Sequence, residues 1–560
     1  MTSIYPSLEQ YLQTVQESPR NIFTDYDLKN SSVEKNVLDI PRVRSGNFAA
    51  IFKYTKNNKH FAVRCFLNKS FDVEARYYEI SRAVKKTPSI FSDFDFQKNG
   101  ILVDKKWYPI LKMSWIDGPT LGEFINTEHN NPIKLSNLRK SLQELQSNLE
   151  RNEIAHGDIQ PGNLIILDHG KKIKLIDYDG MYTPKFQDLQ AQEIGHINFQ
   201  HPLRKIKHFS KKLDWFSFIQ LDVSITCLIA NSDLWEKTYS DEEGILFRSN
   251  DLKNPQQSET FFKIFNDNKN LMVKEFASIC LNDFNKIPHP KSFYEEQFIT
   301  DKIIVFEPDI DKKLIDKNLS VDKRLPYIGA NKVLEAKNIN KIDRNIGKRV
   351  EMIGLVYDVR GGKKQFGNNL KLRPYIFLDF NNVSQGHVFR IKYLPELIES
   401  DQILTSQLPN EKWINKWITI TEIIQPTNII NHPSFSSGFR ERSIIVNNIN
   451  QIKILSESEA MFRLNDVDKF SELTMKIKEK TKNIFNKKKL NNNKKNAETK
   501  KNSIKTTITK IQNKYDLKKY IILFPFCSPH LTQKKWPYYN ELIEKVKSQY
   551  NNQYKIVVAP

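Results

Sequence analysis

No stretch of this 560-residue sequence approaches the ~20 consecutive apolar residues of a membrane-spanning helix, so no membrane span is expected. The N-terminal "MTSIYPSLEQYLQTVQ" lacks a basic segment followed by an apolar one, and export is not expected either. Cysteine is scarce. Cys65, Cys227, Cys280 and Cys527 stand far apart with no C-x-x-C pair, which argues against a disulfide framework and against a zinc site. A reducing cytoplasm fits that usage. No repeat of fixed period is present, which argues against a solenoid. What remains is ordinary for a soluble protein, 39% hydrophobic and 27% charged, at a length that predicts roughly three to four domains.

The net charge of +21 points towards nucleic acid until its location is considered. Lys476 to Lys519 holds 16 lysines against three acids, a local net of 16 − 3 = +13, which leaves 21 − 13 = +8 for the remaining 516 residues. That stretch includes "NKKKLNNNKKNAETKKN", rich in asparagine and poor in aromatics, and reads as a solvated linker over 456–518. The folded parts are only mildly basic.

Four blocks follow from composition and period. Residues 1–312 mix strands with long helices, including an amphipathic run from Leu135 to Glu153. Residues 325–455 carry short alternating strands such as "KRVEMIGLVYDV" and "RPYIFLDF", separated by Gly-Gly and Asn-Asn turns. The basic linker comes next. Residues 519–560 read as β-α-β, through "KYIILFPF", "PYYNELIEKVKSQY" and "KIVVAP". The fold class expected is multidomain α+β.

The chemistry-bearing stretch is "IAHGDIQPGNLIIL", a polar loop that feeds an apolar strand. Phosphoryl transfer needs a carboxylate to orient the attacking hydroxyl, oxygen ligands for a metal that neutralises the triphosphate, and a cation on the phosphates. Asp158 can accept the hydroxyl proton, and Asn163, five residues on, can offer its amide oxygen to Mg2+. Fourteen residues beyond Asn163, at the end of "KIKLID", Asp177 is a hard oxygen ligand at a strand terminus. Asp179, in the same "DYDG", is its rival for that place.

Upstream, "VRSGNFAAIFKY" and "KHFAVRCFL" read as two strands about a turn. This arrangement resembles the N-lobe of a protein kinase, in which a glycine-rich loop precedes a strand bearing a lysine. The resemblance implies an N-lobe over about 38–113 and a C-lobe over about 117–300. It places Gly46, Asn47 and Phe48 in the phosphate-covering loop, with Arg44 and Ala49 where the other glycines would stand. Arg64 occupies the position of the lysine, and its planar head is not interchangeable with an ammonium. Glu79 is the implied partner of Arg64, with Glu74 as the alternative. "YPILKMSWIDGPTLGEFI" resembles the strand and hinge that hold adenine, with Met113 as gatekeeper and Ser114, Trp115 and Ile116 as backbone contacts. "KLDWFSFIQLDV" resembles the helix start that anchors a catalytic loop, which puts Asp214 beneath His156. Residues 1–300 as a whole resemble a bacterial group of atypical serine/threonine-kinase-like proteins, through "AVRCF", "HGDIQPGN", "DYDGM" and "GHINFQHP".

The second block resembles an OB-fold, a five-stranded barrel used on oligonucleotides. Tyr357, Phe366, Tyr375 and Phe377 would stack bases and Arg360, Lys363 and Lys364 would meet phosphates, if these positions are not needed for the core or for protein docking. The last block resembles the opening of the donor-binding half of family 9, heptosyltransferase-like glycosyltransferases, through Lys534, Lys535, Trp536 and Pro537. It stops before the donor phosphate site, so a working transferase is not expected there. The function implied is transfer of phosphate from Mg2+-ATP to protein Ser/Thr hydroxyls. The alternatives are a small-molecule or surface-sugar kinase, and a nucleotide-binding adaptor whose OB-like domain takes nucleic acid or protein.

Overall fold

In "AAIFKYTK" the alternate residues Ala50, Phe52 and Tyr54 form one buried face, and "KHFAVRCF" is buried on both faces from Val63 to Phe66. In the structure, a computed structural model, they pair antiparallel from Ala49 opposite Phe66 to Lys56 opposite Lys59. Asn57 closes this hairpin with φ +52°, a conformation asparagine tolerates better than most residues. The residues described are 5–45, 49–67, 73–268, 271–295, 306, 327–366, 369–382, 386–400, 407–432, 435–464, 520–523 and 555–558.

The chain is mixed α+β with several sheets. The first sheet holds β1 (Ser32–Val33), β2 (Val43–Ser45), β3 (Ala49–Lys56), β4 (Lys59–Phe66), β5 (Phe94–Val103) and β6 (Lys106–Ser114). Its order is β1-β3-β4-β6-β5, with β2 also on β3, and all its pairs are antiparallel. The helix Val73–Lys86 packs against β5 and turns Val73, Tyr77, Ile80 and Val84 inward, a helical stripe. A small antiparallel hairpin, β7 (Leu164–Leu167) with β8 (Lys172–Leu175), follows the helix Pro132–Arg151. That helix starts three residues before the expected run from Leu135 to Glu153. Asn131 accepts the Lys134 N–H, Pro132 takes the first turn, and Leu135, Leu138, Leu142, Leu145 and Leu149 face the core. They pack on the helix Trp215–Ala230, which is buried on nearly every side. Arg139 and Gln143 reach across to the buried Asp222 at 2.8 Å each.

Between Lys332 and Leu455 the described residues form nine strands in two sheets, not the single set of five expected of an OB-like barrel. One sheet has the order β17-β14-β10-β9, from Ile452–Leu455, Trp417–Ile423, Arg349–Leu355 and Lys332–Glu335. The other has the order β11-β12-β13-β16-β15, from Asp358–Phe366, Asn369–Asp379, His387–Tyr393, Phe435–Ile445 and Asn428–His432. β9 and β10 pair in parallel, as do β13 and β16. The additional strands carry little apolar alternation. β15, "NIINH", is exposed at 428–430 and is identified by backbone pairing, whereas β16, "FSSGFRERSII", buries Phe439 and Ile444.

Residues Met1–Asp466 form one compact unit and Val467–Pro560 another. Within the first unit the two β-containing regions share core. Ile423 of β14 is buried in the cluster built by Leu8, Tyr11, Phe23, Phe52 and Tyr54. The expected linker does not start at 456. Glu457–Leu464 is a helix whose Arg463, 1% exposed, pairs with Glu351 at 3.2 Å and Glu459 at 2.7 Å. In the second unit β18 (Tyr520–Leu523) pairs in parallel with β19 (Lys555–Val558). The helix expected between them, and Lys534, Lys535, Trp536 and Pro537, lie outside the described residues. Among the described residues no helix is long and apolar enough to cross a membrane.

Candidate active site

The loop Ile154–Asn163 is pinned from below by one buried carboxylate. Asp214, just before the Trp215–Ala230 helix and 4% exposed, accepts the His156 N–H at 2.6 Å and the Gly157 N–H at 2.8 Å. Burial pushes its carboxyl up, against the opposing pull of His156, the two amides and Arg204. His156 is fully buried, and its Nε2 donates to the Ile176 carbonyl at 2.9 Å. The Ile176 N–H donates in turn to the Asn163 carbonyl at 3.0 Å. The two segments bearing Asp158 and Asp177 are thus locked together through Ile176 at the end of β8.

Asp158 has a fixed orientation. Its Oδ1 accepts the His196 N–H at 2.7 Å, and its Oδ2 accepts from Asn163 Nδ2 at 3.0 Å and from Gln160 Nε2 at 3.4 Å. Asn163 spends its amide nitrogen on Asp158, donating also to its carbonyl, so its amide oxygen is left to serve as an acceptor or ligand. Asp177 has φ +63°, a left-handed conformation that costs a non-glycine residue about 1–2 kcal/mol and that clusters at functional sites.

Arg64, 2% exposed, is not partnered by Glu79. Its two terminal nitrogens grip Asp179 as a fork, at 2.6 Å to Oδ1 and 2.5 Å to Oδ2. Nη1 also donates to the Tyr77 hydroxyl at 2.8 Å, and Nη2 lies 3.1 Å from Asp177 Oδ1. Tyr77 donates its hydroxyl proton to Asp179, and Arg76 holds the Asp179 and Met181 carbonyls at 2.8 and 2.7 Å. Glu79 instead faces Arg82 at 3.4 Å, and Glu74 pairs with Lys98 at 2.8 Å. The reason is the helix phase. The inward stripe runs through Val73, Tyr77, Ile80 and Val84, and Glu79 is one residue, or about 100°, off it. Asp177 and Asp179 share one guanidinium unequally. Burial pushes Asp177 up despite Arg64, whereas Asp179, equally desolvated, is held low by Arg64 and Tyr77.

Met113 is buried at the end of β6, opposite Ala62 of β4. The Ser114 carbonyl accepts from Ser92 Oγ at 2.9 Å and the Trp115 N–H donates to the His60 carbonyl at 3.0 Å. The Trp115 ring is covered by Arg44 at 4.6 Å and Lys53 at 4.8 Å. Ile116 follows, half-buried. Gly46, Asn47 and Phe48 lie outside the described residues.

The donor set fits a small hard cation in part. Among the described residues no three His, Cys, Asp or Glu side chains converge as a ready-made cage. Mg2+ needs none, since it keeps several waters and takes one or two protein oxygens beside phosphate oxygens. Asp177 Oδ1 makes no aligned hydrogen bond but already lies 3.1 Å from Arg64 Nη2, so a metal ion there would share this oxygen with the guanidinium.

Three more residues shape this neighbourhood, of which only Gly195, in "GHINFQHP", lies in a stretch singled out in the sequence. Glu193 is pushed up to about 8, first by burial and then by Asp177, Asp158 and Asp179. Gly195 has φ +83°, and a Cβ there would stand 2.7 Å from Asp158 Oδ1. Arg204 donates to the Gly157 carbonyl at 2.9 Å. In the second β region Phe366 and Phe377 are 3% and 7% exposed, so they fill the core and do not form a stacking platform. Arg360 is tied to Asp358 and Asp379, while Lys364 lies over the Tyr375 and Phe377 rings. Lys363 is exposed, and Tyr357 is 52% exposed.

No protein-family model matches the chain, and no curated protein matches it. Among solved structures, the kinase PK-1 of the Cydia pomonella granulovirus is similar over 35% of this chain and 71% of that chain. The two are 16% identical, with a TM-score of 0.28.

Proposed function

We propose that residues 1–312 form the body of a protein-kinase-like phosphotransferase that moves phosphate from ATP to Ser/Thr hydroxyls of proteins. The observation that carries the reading is the lock between two loops, in which Asn163 bonds Asp158 through its side chain and Ile176, next to Asp177, through its backbone. Asp158, aimed by the Asn163 amide and the His196 N–H, orients the acceptor hydroxyl and takes up its proton. Asn163 and Asp177 would hold Mg2+, which neutralises triphosphate charge when bound. Arg64 lies on the phosphates with Asp179, in place of Glu79, as its counter-ion. The backbone from Ser114 to Ile116 receives adenine beneath Met113.

The test is transfer of labelled phosphate from ATP with Mg2+ to a generic protein acceptor by the full chain, beside Asp158→Ala and Asp177→Ala. The expected outcome is transfer by the wild type and a loss of about 10²–10⁴-fold in each variant, the usual weight of a positioned acid-base or metal group. Label on free sugars but not on protein would identify a small-molecule kinase. A second reading, a nucleotide-binding adaptor, is favoured by the grip of Asp179, Asp177 and Tyr77 on Arg64, which occupies the cation meant for phosphate. ATP that raises the melting temperature without any transfer would establish it.

A further inference from the structure

The hydrogen bond that fixes Asp158 Oδ1 comes from the backbone of His196, and His196 is held by Glu243, which is in turn held from the second β region. Its Nδ1 accepts the Asn198 N–H at 3.3 Å, which assigns the proton to Nε2, and Nε2 lies 2.9 Å from Glu243 Oε2. Asn198 donates to the Glu243 carbonyl at 2.7 Å and accepts the Ser249 N–H at 2.9 Å. Gly195 permits the approach, because its φ of +83° and the crowding by Asp158, Gln200 and Gly157 leave no room for a side chain. The other oxygen of Glu243 is 3.1 Å from Nη2 of Arg349, the first residue of β10. Arg349 also stands 3.7 Å from Glu422 of β14.

We propose that Arg349 is a positioning residue for the phosphotransferase site, acting on Asp158 through Glu243 and His196, so that the second β region completes a site that residues 1–312 do not complete alone. The proposal rests on the phosphotransferase reading for its catalytic part only. Glu243 is the joint. Although buried, it is held well below the usual carboxylate range by His196 and Arg349, so it is an anion that needs both partners. Removing Arg349 leaves a largely desolvated carboxylate with only His196 and the longer contact of Asn331, both on Oε2, and its cheapest relief is to rotate towards water and release His196. The Gly195–His196 backbone then loses its anchor, and Asp158 keeps only the contacts of Asn163 and Gln160. One further contact between the two regions reaches the same carboxylate, Asn331 Nδ2 at 3.5 Å from Glu243 Oε2, whereas those of Asn126 with Asn450 and Lys453, and of Tyr239 with Ser456, bear no such relation to the site.

The experiment uses the full chain as wild type, Arg349→Met and Arg349→Lys. It measures kcat and KM for ATP on the generic protein acceptor, and amide hydrogen exchange across residues 195–201. The expected result for Arg349→Met is a kcat at least tenfold lower, a KM for ATP within twofold of wild type, and exchange at least tenfold faster in 195–201. Exchange in the Pro132–Arg151 helix should not change, and Arg349→Lys should restore kcat to within threefold. Values within twofold of wild type for both kcat and exchange would overturn the proposal. So would faster exchange in the Pro132–Arg151 helix as well, which would make Arg349 a general stabiliser. A wild type that transfers nothing refutes the phosphotransferase reading instead, and the exchange comparison then decides the link from Arg349 to His196 by itself.

Discussion

The fork between Arg64 and Asp179 is testable as a coupling energy. Asp179→Asn keeps the shape of the side chain and removes its charge, and Arg64→Met keeps the length of the stem and removes the guanidinium. Two charge-assisted hydrogen bonds, at 2.6 and 2.5 Å, are worth about 1.5–3 kcal/mol each to a buried ion. Two corrections lower that sum. The guanidinium, 3% exposed, is desolvated in any case, and Asp177 at 3.1 Å takes up part of the vacated charge. A net coupling of about 2 kcal/mol remains. The assay is urea unfolding of the full chain for the wild type, both single variants and the double variant. Each single variant should be clearly destabilised, and the double variant should be less destabilised than the sum of the singles by that coupling. Additivity to within about 0.5 kcal/mol would refute the assignment of Asp179 as the counter-ion of Arg64.

Two other perturbations follow from the same geometry. Gly195→Ala forces a Cβ to 2.7 Å from Asp158 Oδ1 at φ +83°, so it should cost about 1–3 kcal/mol by thermal unfolding and displace Asp158. A wild-type melting curve for that variant would remove the steric argument. Glu242 is pushed up to about 8, first by burial and then by Glu123, Glu243 and Asp241, against the pull of Arg349. A carboxyl whose folded pKa is raised binds more protons folded than unfolded, so the stability it contributes is complete below about 4.5 and lost as pH rises to about 8. Glu242→Gln should therefore match the wild type near pH 4.5 and exceed it by about 4 kcal/mol near pH 8. Parallel stability curves for the two proteins would refute this.

Much of the neighbourhood of Asp158 was legible because it is local. Five residues separate Asp158 from Asn163, and a loop entering a strand has few ways to arrange them. Asp214 beneath His156 was legible through the motif at the start of its helix. Val73, Tyr77, Ile80 and Val84 define the inward stripe, and Glu79, one residue off it, faces Arg82 and not Arg64, a phase readable from the sequence. That Asp179 would replace Glu79 was not legible, because its approach depends on the turn after Asp177. Nor was the link from His196 through Glu243 to Arg349, whose members lie 47 and then 106 residues apart, so that no periodicity relates them. Phe366 and Phe377 were open between core and platform because a strand position specifies a face but not which face is covered.

Tyr178, 1% exposed, packs on Phe91 and Phe94. Its hydroxyl accepts the Ser92 N–H at 3.0 Å and has one proton for two carbonyls, that of Ser92 at 2.9 Å and that of Leu175 at 3.0 Å. Ser92 also holds the Ser114 carbonyl at the end of β6. In mechanical terms this is a pin through a linkage. One phenol, through Ser92, joins the end of β6 to the last residue of β8, two residues before Asp177. Ser114 and the residue two before Asp177 are joined by an unbroken run of hydrogen bonds, Ser114–Ser92–Tyr178–Leu175, through which a displacement at one end loads the other.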